Sequence, residues 1–252
     1  MSNSPLATYT KISPNRTSPR NHAIDRITIH CYVGQVTAER GCSGKRFVTY
    51  DPDGGVSCNY VVGYDGSIGL CVPESDRSWC SSNRANDHRA ITIETASDTV
   101  HPYAVTEAAY SALLDLTTDI CRRNGKRKLL WMEDKTKALA YMPEADEMVL
   151  TVHRWFAAKA CPGEYLLDRH GEIAAEVTRR LQEDDPMTYE QWTKYMDRYR
   201  KELAAQDATM PDLVADAVAL GISVDGTRPR DLMTREEGMV MARAAVIASR
   251  AE

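Results

Sequence analysis

The sequence lacks the features that would place the chain across a membrane, on nucleic acid or in a disulfide framework. No stretch approaches the roughly 20 apolar residues of a membrane helix, and residues 1–20 are polar, without the apolar core of a signal peptide. A formal net charge of -5 gives no basic field for nucleic acid. The seven cysteines form no Cys-x-x-Cys pair, and their odd number favours reduced thiols. We therefore expect a chain made in the cytoplasm that spans no membrane.

Strand-like and helix-like segments alternate over residues 1–183. The predicted strands are rich in β-branched and aromatic residues and cover Arg26–Val33, Cys58–Gly63, Ser67–Val72 and Ala90–Thr95. Glu147–His153 fits either a strand or a helix. Helical spacing of apolar residues predicts two long helices, one from a cap at Thr106 to about Arg123 and one over Glu164–Leu181. This alternation predicts an α/β fold with a mixed central β-sheet flanked by helices.

A charged stretch that ends in a proline, Glu183–Pro186, indicates a domain boundary. We place the first domain at residues 1–183, a linker at 184–187 and a second domain at 188–252. Capping-box patterns in the second domain predict a small all-α fold of two or three helices. About 65 residues bury little apolar surface alone, so we expect this domain to pack on the first one or on another copy in a homo-oligomer.

Three residues of the first domain suggest a metal site. His30 and His153 each end an apolar segment, and Cys161 follows eight residues after His153. Imidazole nitrogen and thiolate sulfur bind zinc, and a catalytic zinc site keeps three protein ligands and an open position for water. Two histidines and one cysteine also occur together by chance in many chains, so their spacing alone does not decide whether they bind a metal. A metal-free hydrolase with Cys161 as nucleophile and His153 as base is a second hypothesis, but it gives His30 no role.

The residues around these positions form a recognisable series of motifs. They are His30-Cys31-Tyr32, Ser57–Val62, Asp65-Gly66, Ile91–Glu94 and His153 followed by Lys159–Gly163. In this order they resemble the type-2 N-acetylmuramoyl-L-alanine amidase family, which includes phage T7-type lysozyme and the peptidoglycan recognition proteins. The resemblance covers about residues 20–182, and its most specific part is the string Lys-Ala-Cys-Pro-Gly after His153.

The resemblance implies an enzyme that hydrolyses the amide bond between N-acetylmuramic acid and L-alanine in bacterial peptidoglycan. It implies a Zn2+ cofactor on the two histidines and the cysteine, where the metal polarises the carbonyl and activates water. A tyrosine or a glutamate transfers the proton in different branches of the family. Cys58 stands at the tyrosine position, so the role is assigned to Glu94. Lys159 is assigned to the developing oxyanion; without the resemblance, both charged residues would be predicted as solvated.

The resemblance also implies a substrate groove beside the metal. Trp79, Asn83 and Asn59 are predicted to bind substrate there, because an aromatic face suits a sugar or a peptide; a core position for Trp79 is equally open. Cys80 departs from the pattern, since many relatives have histidine after the tryptophan. Residues 126–147 are predicted to be a polar insertion, which either walls the groove or forms a surface excursion.

Residues 221–229, with the Thr234–Glu237 segment after them, resemble one S-layer homology unit, a module that binds cell-wall polymers. A helical hairpin for packing or dimerisation is the alternative. An amidase with such a tail and no signal peptide resembles a phage endolysin, which stays in the cytoplasm until a holin opens the membrane. Two other functions stay open. A non-catalytic peptidoglycan-binding protein would typically lack Cys161, and a cytosolic muropeptide-recycling amidase would have less use for the tail.

Overall fold

The computed structural model describes residues 2–183, 193–194 and 196–197. The predicted linker 184–187 lies outside the described residues. So does nearly all of the predicted helical domain 188–252, with its S-layer-like unit. Among the described residues, no helix is both long enough and apolar enough to cross a bilayer.

In the described part of the chain, nine strands form two sheets. They are β1 (Tyr9–Thr10), β2 (Arg16–Thr17), β3 (Arg26–Cys31), β4 (Tyr60–Val62), β5 (Ile68–Leu70), β6 (Arg77–Ser78), β7 (Ala90–Thr95), β8 (Lys128–Leu130) and β9 (Glu147–Val152). Seven form the central sheet in the order β1-β5-β4-β7-β3-β9-β8, and β2 pairs with β6. Strands β4, β7, β3, β9 and β8 run parallel to one another. Strand β5 pairs antiparallel with β4, and β1 is parallel to β5 and so runs opposite to the other five. The predicted mixed sheet is confirmed.

Helices flank this sheet, as predicted. They are α1 (Ala38–Cys42), α2 (Lys45–Val48), α3 (Arg84–Arg89), α4 (Glu107–Arg123), α5 (Lys135–Ala140), α6 (Glu164–Asp168) and α7 (His170–Glu183). The long helix α4 begins at its predicted cap, where Thr106 Oγ1 accepts a hydrogen bond from the Ala109 amide. Gly125 follows the helix end at φ +68°, a conformation that glycine adopts without strain. Helix α4 packs against α7, and α7 packs against β8.

Two predicted segments differ from the structure. The helix predicted over Glu164–Leu181 is divided into α6 and α7 at Arg169, and beside this break the His170 Nδ1 donates to the Leu166 carbonyl at 2.6 Å. Residues 126–147 are not only a surface excursion, since they contribute the edge strand β8 and helix α5. Leu129 of β8 is buried in the core, but the charged residues around it hide the strand in the sequence.

The two faces of the sheet have different chemistry. On β3, Ile27 and Ile29 belong to the apolar core that also contains Leu113 and Leu116 of α4. The alternate residues Thr28 and His30 face the other side, because successive side chains on a strand point to opposite faces. Thus the same short strand contributes to the core on one face and presents polar groups on the other.

Candidate metal centre

The three predicted metal ligands meet at one edge of the sheet. His30 is near the end of β3, His153 begins the 3-10 turn directly after β9, and Cys161 lies in the loop that follows. Because β3 and β9 are parallel neighbours, their carboxyl ends open on the same edge. The ligand atoms of the three residues all lie within 4.8 Å of one another. His30 Nδ1 is 3.3 Å from Cys161 Sγ, and the two imidazole centroids are 5.0 Å apart.

Burial favours neutral imidazoles at this site. His30 is fully buried, and burial, with a smaller effect of His153, holds its pKa well below the ordinary value. Burial and the nearby charge of Lys159 also lower the pKa of His153. Neutral imidazole is the form that binds metal ions. The site therefore presents two histidines in the protonation state that coordination requires.

The Cys161 thiol holds its proton in the absence of a metal ion. A hydrogen bond with the Cys31 thiol and burial raise the pKa of Cys161 far above its ordinary range. A metal ion at this site would bind the thiolate and displace this proton. Cys31 was not predicted as part of the site, although it directly follows His30.

The loop that carries Cys161 is fixed on both sides. Arg154 Nη1 donates to Glu164 at 2.9 Å, Nη2 donates to the Ala160 carbonyl, and the Arg154 amide donates to the Cys161 carbonyl at 3.2 Å. Gly163 adopts φ +82° where α6 begins. These contacts hold the thiol in a defined place before any ligand arrives.

Glu94, the predicted proton carrier, lies beside His30 in the sheet. The two residues are register partners on the parallel strands β7 and β3, so they lie on the same face. Burial, followed by the charge of Cys31, raises the pKa of Glu94 to about 8. Its Oε1 lies 3.8 Å from Cys80 Sγ, and its Oε2 is buried with no hydrogen-bond partner in the described structure. A carboxyl group with such a pKa exchanges protons near neutral pH.

Lys159 is exposed, two residues before Cys161. Its charge acts on the site, because it contributes to the lowered pKa of His153. The predicted contact of Lys159 with a developing oxyanion stays a prediction.

The three predicted substrate-binding residues lie in different environments. Asn59 is fully buried; its Nδ2 donates to the Val72 carbonyl, and its Oδ1 accepts from the Thr92 amide, both at 3.1 Å. Asn59 is therefore a structural residue, and substrate binding by Asn59 stays a prediction. Asn83 is partly buried and caps α3, with its Oδ1 2.9 Å from the Asn86 amide.

Trp79, the third of them, lies half-buried against other side chains. Its Nε1 donates to Thr17 Oγ1 at 3.1 Å, and its ring lies 6.5 Å from the ring of Tyr50. Arg77 is positioned over the indole at 5.8 Å. Tyr50 is 62% exposed, so this aromatic pair faces solvent, and substrate binding by Trp79 stays a prediction.

Ser82 is a site residue that the sequence did not indicate. Its hydroxyl lies 3.0 Å from His153 Nε2, and its backbone adopts φ +59°. A non-glycine residue rarely adopts this conformation, and such strain is often found at functional sites. The contact joins positions 71 residues apart in the chain, and the only sequence signal is the polar run that precedes the Asn83 cap.

A buried polar layer supports the site from below. Thr28 and Thr151 share a hydrogen bond of 2.7 Å between their hydroxyls, and Asn86 Nδ2 donates to Thr28 Oγ1 at 2.9 Å. Ser78 and Thr92 form a second 2.7 Å pair. All five side chains are buried. Because buried polar groups that are fully paired specify one arrangement, this layer fixes the strands that carry the histidine and the carboxylate.

The family of the chain agrees with this geometry. The sequence profile of the N-acetylmuramoyl-L-alanine amidase family matches residues 20–164, which is more than half of the 252-residue chain. The chain therefore belongs to this family. The matched range contains all three predicted ligands and Glu94. No curated protein matches the chain.

Several solved structures are similar to this chain at low identity. The structure of PlyL is 15% identical, with 67% of this chain and 95% of that chain covered and a TM-score of 0.43. A selenomethionine AmpD derivative is 20% identical, with 71% and 95% covered and a TM-score of 0.47. The endolysin amidase LysCS from Clostridium intestinale URNW is 16% identical, with 68% and 96% covered and a TM-score of 0.44.

Proposed function

We propose that this protein is a zinc-dependent N-acetylmuramoyl-L-alanine amidase of the endolysin type, which hydrolyses the bond between N-acetylmuramic acid and L-alanine in bacterial peptidoglycan. The observation that carries the proposal is the convergence of His30, His153 and Cys161 within 4.8 Å in a chain of the amidase family. Two imidazoles and one thiolate form a three-ligand set of the catalytic type, with a position left for water or substrate.

The side chains of this triad fit a zinc ion. His30 is fully buried, and its Nε2 has no hydrogen-bond partner among the described residues, although buried polar atoms are normally paired. Cys161 Sγ and His30 Nδ1 lie 3.3 Å apart, so the two donor atoms are close enough to bind one ion. When bound, zinc supplies a Lewis acid for the scissile carbonyl and lowers the pKa of water.

Glu94 carries the proton in this proposal. Its carboxyl group lies on the strand next to His30 and has a pKa of about 8 because of burial. It accepts a proton from the attacking water and returns it to the leaving nitrogen of L-alanine. Lys159, exposed near His153, supplies positive charge for the oxyanion.

Ser82 and Arg154 position the ligands. The Ser82 hydroxyl holds one nitrogen of His153, and a partner of this kind fixes the orientation of a metal-binding imidazole. Arg154 ties the Cys161 loop to Glu164 and to the Ala160 carbonyl. Neither side chain has to touch the substrate for these roles.

The proposed setting is bacteriolysis. The enzyme waits in the cytoplasm and reaches the wall after a holin opens the membrane. Residues 188–252 add affinity for a cell-wall polymer or hold two copies together. This part of the proposal rests on the tail sequence alone, and deletion of residues 188–252 followed by a wall-sedimentation assay tests it.

Incubation of the full chain with purified peptidoglycan tests the activity. We expect release of L-alanine amino groups that a chelator abolishes and zinc restores. His30→Ala should abolish both zinc retention and release. Activity that the chelator does not affect would instead support the metal-free cysteine hydrolase. Sedimentation with the wall without any release would support the binding protein.

A matched pair of variants tests the proton carrier. Glu94→Gln keeps the shape of the side chain and should retain zinc while losing activity by about 10²–10⁴-fold. Glu172→Gln, on the exposed side of α7, is the control and should behave as the wild type. If Glu94→Gln keeps full activity, the assignment of Glu94 is wrong, although the amidase assignment stands.

A further inference from the structure

A second group of potential ligands lies directly beside the triad. His30, Cys80 and Glu94 also place their ligand atoms within 4.8 Å of one another, and His30 is the residue shared by both groups. Cys80 Sγ donates to Glu94 Oε1 at 3.8 Å. Two buried polar atoms, His30 Nε2 and Glu94 Oε2, have no partner in the described part of the chain. This small region therefore has unsatisfied donor and acceptor capacity.

We propose that His30, Cys80 and Glu94 form an alternative position for a zinc-type divalent ion, and that an ion bound there leaves the amidase inactive. Nitrogen, sulfur and carboxylate oxygen are all zinc ligands. A thiolate and a carboxylate cancel the +2 charge, whereas the triad with its single thiolate leaves +1. Because a net charge is costly to bury, charge neutrality favours binding of a divalent ion by the alternative set.

The scaffold fixes Cys80 for this role. Its amide donates to Asp87 Oδ2 at 3.0 Å, and the Ser81 hydroxyl donates to Asp87 Oδ1 at 2.6 Å. Asp87 is itself buried on α3. A ligand on a well-anchored segment binds a metal with little loss of freedom.

The two positions exclude each other through His30. A neutral imidazole offers a lone pair on one nitrogen only, so it binds one ion at a time. An ion at the alternative position would displace the Cys80 thiol proton that is donated to Glu94, together with the proton of the Glu94 carboxyl group where that group is protonated, and both protons would leave to solvent. It also takes the Glu94 carboxylate as a ligand, which removes the proposed proton carrier from the reaction.

Cobalt binding to the full chain tests this position without an activity assay. A cobalt–thiolate bond gives a charge-transfer band in the near ultraviolet. If the triad were the single metal position, Cys161→Ser would lose the charge-transfer band. Our proposal predicts instead that Cys161→Ser still binds cobalt and still shows the band. Adding Cys80→Ser should remove the band and weaken cobalt binding by more than about tenfold. Cys58→Ser in the same background changes another buried cysteine and should keep the band.

Loss of the band in Cys161→Ser, or a band that survives Cys80→Ser, would overturn the proposal. Circular dichroism at each step confirms that the variants fold. If the double variant Cys161→Ser, Cys80→Ser does not fold, the double variant Cys161→Ser, Glu94→Gln takes its place. This variant should bind cobalt more weakly but keep the band, because the Cys80 thiolate is still present. The inactivating effect rests on the proposed amidase function, but the cobalt result does not. A wild type that binds cobalt without hydrolysing peptidoglycan would refute the function alone.

Discussion

Gly163 is the residue where backbone geometry and metal binding are most directly coupled. It lies two residues after Cys161 at φ +82° and ψ 156°, a region open essentially to glycine alone. A Cβ at this position would lie 2.7 Å from the Tyr103 Cβ and 3.0 Å from the Pro102 carbonyl oxygen. Both neighbours are fixed atoms, so Gly163→Ala must move the loop that holds the thiol.

The cost of this change follows from two effects. The strained backbone costs roughly 2 kcal/mol, and the overpacked contact adds about 2 kcal/mol, so we expect a loss near 4 kcal/mol in the free energy of unfolding. Gly125 is the matched control, because its φ is +68° and a Cβ added there would meet no atom within 4 Å. Gly125→Ala should cost only about 1–2 kcal/mol.

Urea unfolding and zinc competition with a chromophoric chelator measure both effects. We expect Gly125→Ala to bind zinc as the wild type does, and Gly163→Ala to bind it at least about tenfold more weakly because the Cys161 loop is displaced. If the two variants lose equal stability and bind zinc equally well, the Cys161 loop is not held by the Gly163–Tyr103 contact.

Three further predictions concern the site and the interior. Ser82→Ala should leave the fold intact and weaken zinc binding by about 10–100-fold, because His153 loses its hydrogen-bond partner. Chelator competition measures the zinc affinity, and an unchanged affinity would refute the positioning role of Ser82. Arg123→Met should lower the free energy of unfolding in urea by about 3–5 kcal/mol. The reason is that the fully buried Glu74, whose Oε1 lies 2.6 Å from Arg123 Nη2, loses its cation. A decrease as small as that of an ordinary surface substitution would contradict this. His170 is buried with its pKa lowered by burial from 6.5 to about 4, so the unfolded chain binds the proton more readily. Stability is therefore complete above about pH 6.5 and should fall by about 3 kcal/mol toward pH 4, a slope that His170→Gln should reduce.

The sheet and its longest helix were predictable because local signals agreed with the fold. β-Branched residues indicated β7 at its observed bounds, and the predicted strands Cys58–Gly63 and Ser67–Val72 contain β4 and β5. Thr106 marked the start of α4 as its cap, and the predicted end near Arg123 is the observed one. Strand β8 was missed because its three residues lie among lysines and arginines, and its stability comes from pairing with β9 rather than from its own composition.

The site was predictable only in part. His30, His153 and Cys161 were indicated by a motif, and the parallel sheet explains why such distant residues meet. The contacts of Ser82 with His153 and of Cys80 with Glu94 depend on how the segment before α3 crosses the strand ends. No periodicity or spacing encodes such a crossing, so these contacts required the structure. The burial of Asn59 was not predictable either, because burial of a polar residue depends on its hydrogen-bond partners.

The position of Glu94 has two consequences that oppose each other. Its register pairing with His30 brings the proposed proton carrier to the proposed metal position, but the same proximity makes its carboxylate available as a metal ligand. A neutral histidine at position 80 would leave a divalent ion at the alternative position with a net positive charge, because only Glu94 would carry a negative one. With the Cys80 thiolate as a second negative ligand, the charges cancel. Because the two positions share His30, the zinc-loaded chain divides its single ion between them in a ratio that does not depend on the zinc concentration. Cys80→Ser should therefore raise the rate of peptidoglycan hydrolysis at saturating zinc, because more of the chain then holds its ion at the triad. Equal rates for the two proteins at saturating zinc would show that Cys80 does not hold a competing ion.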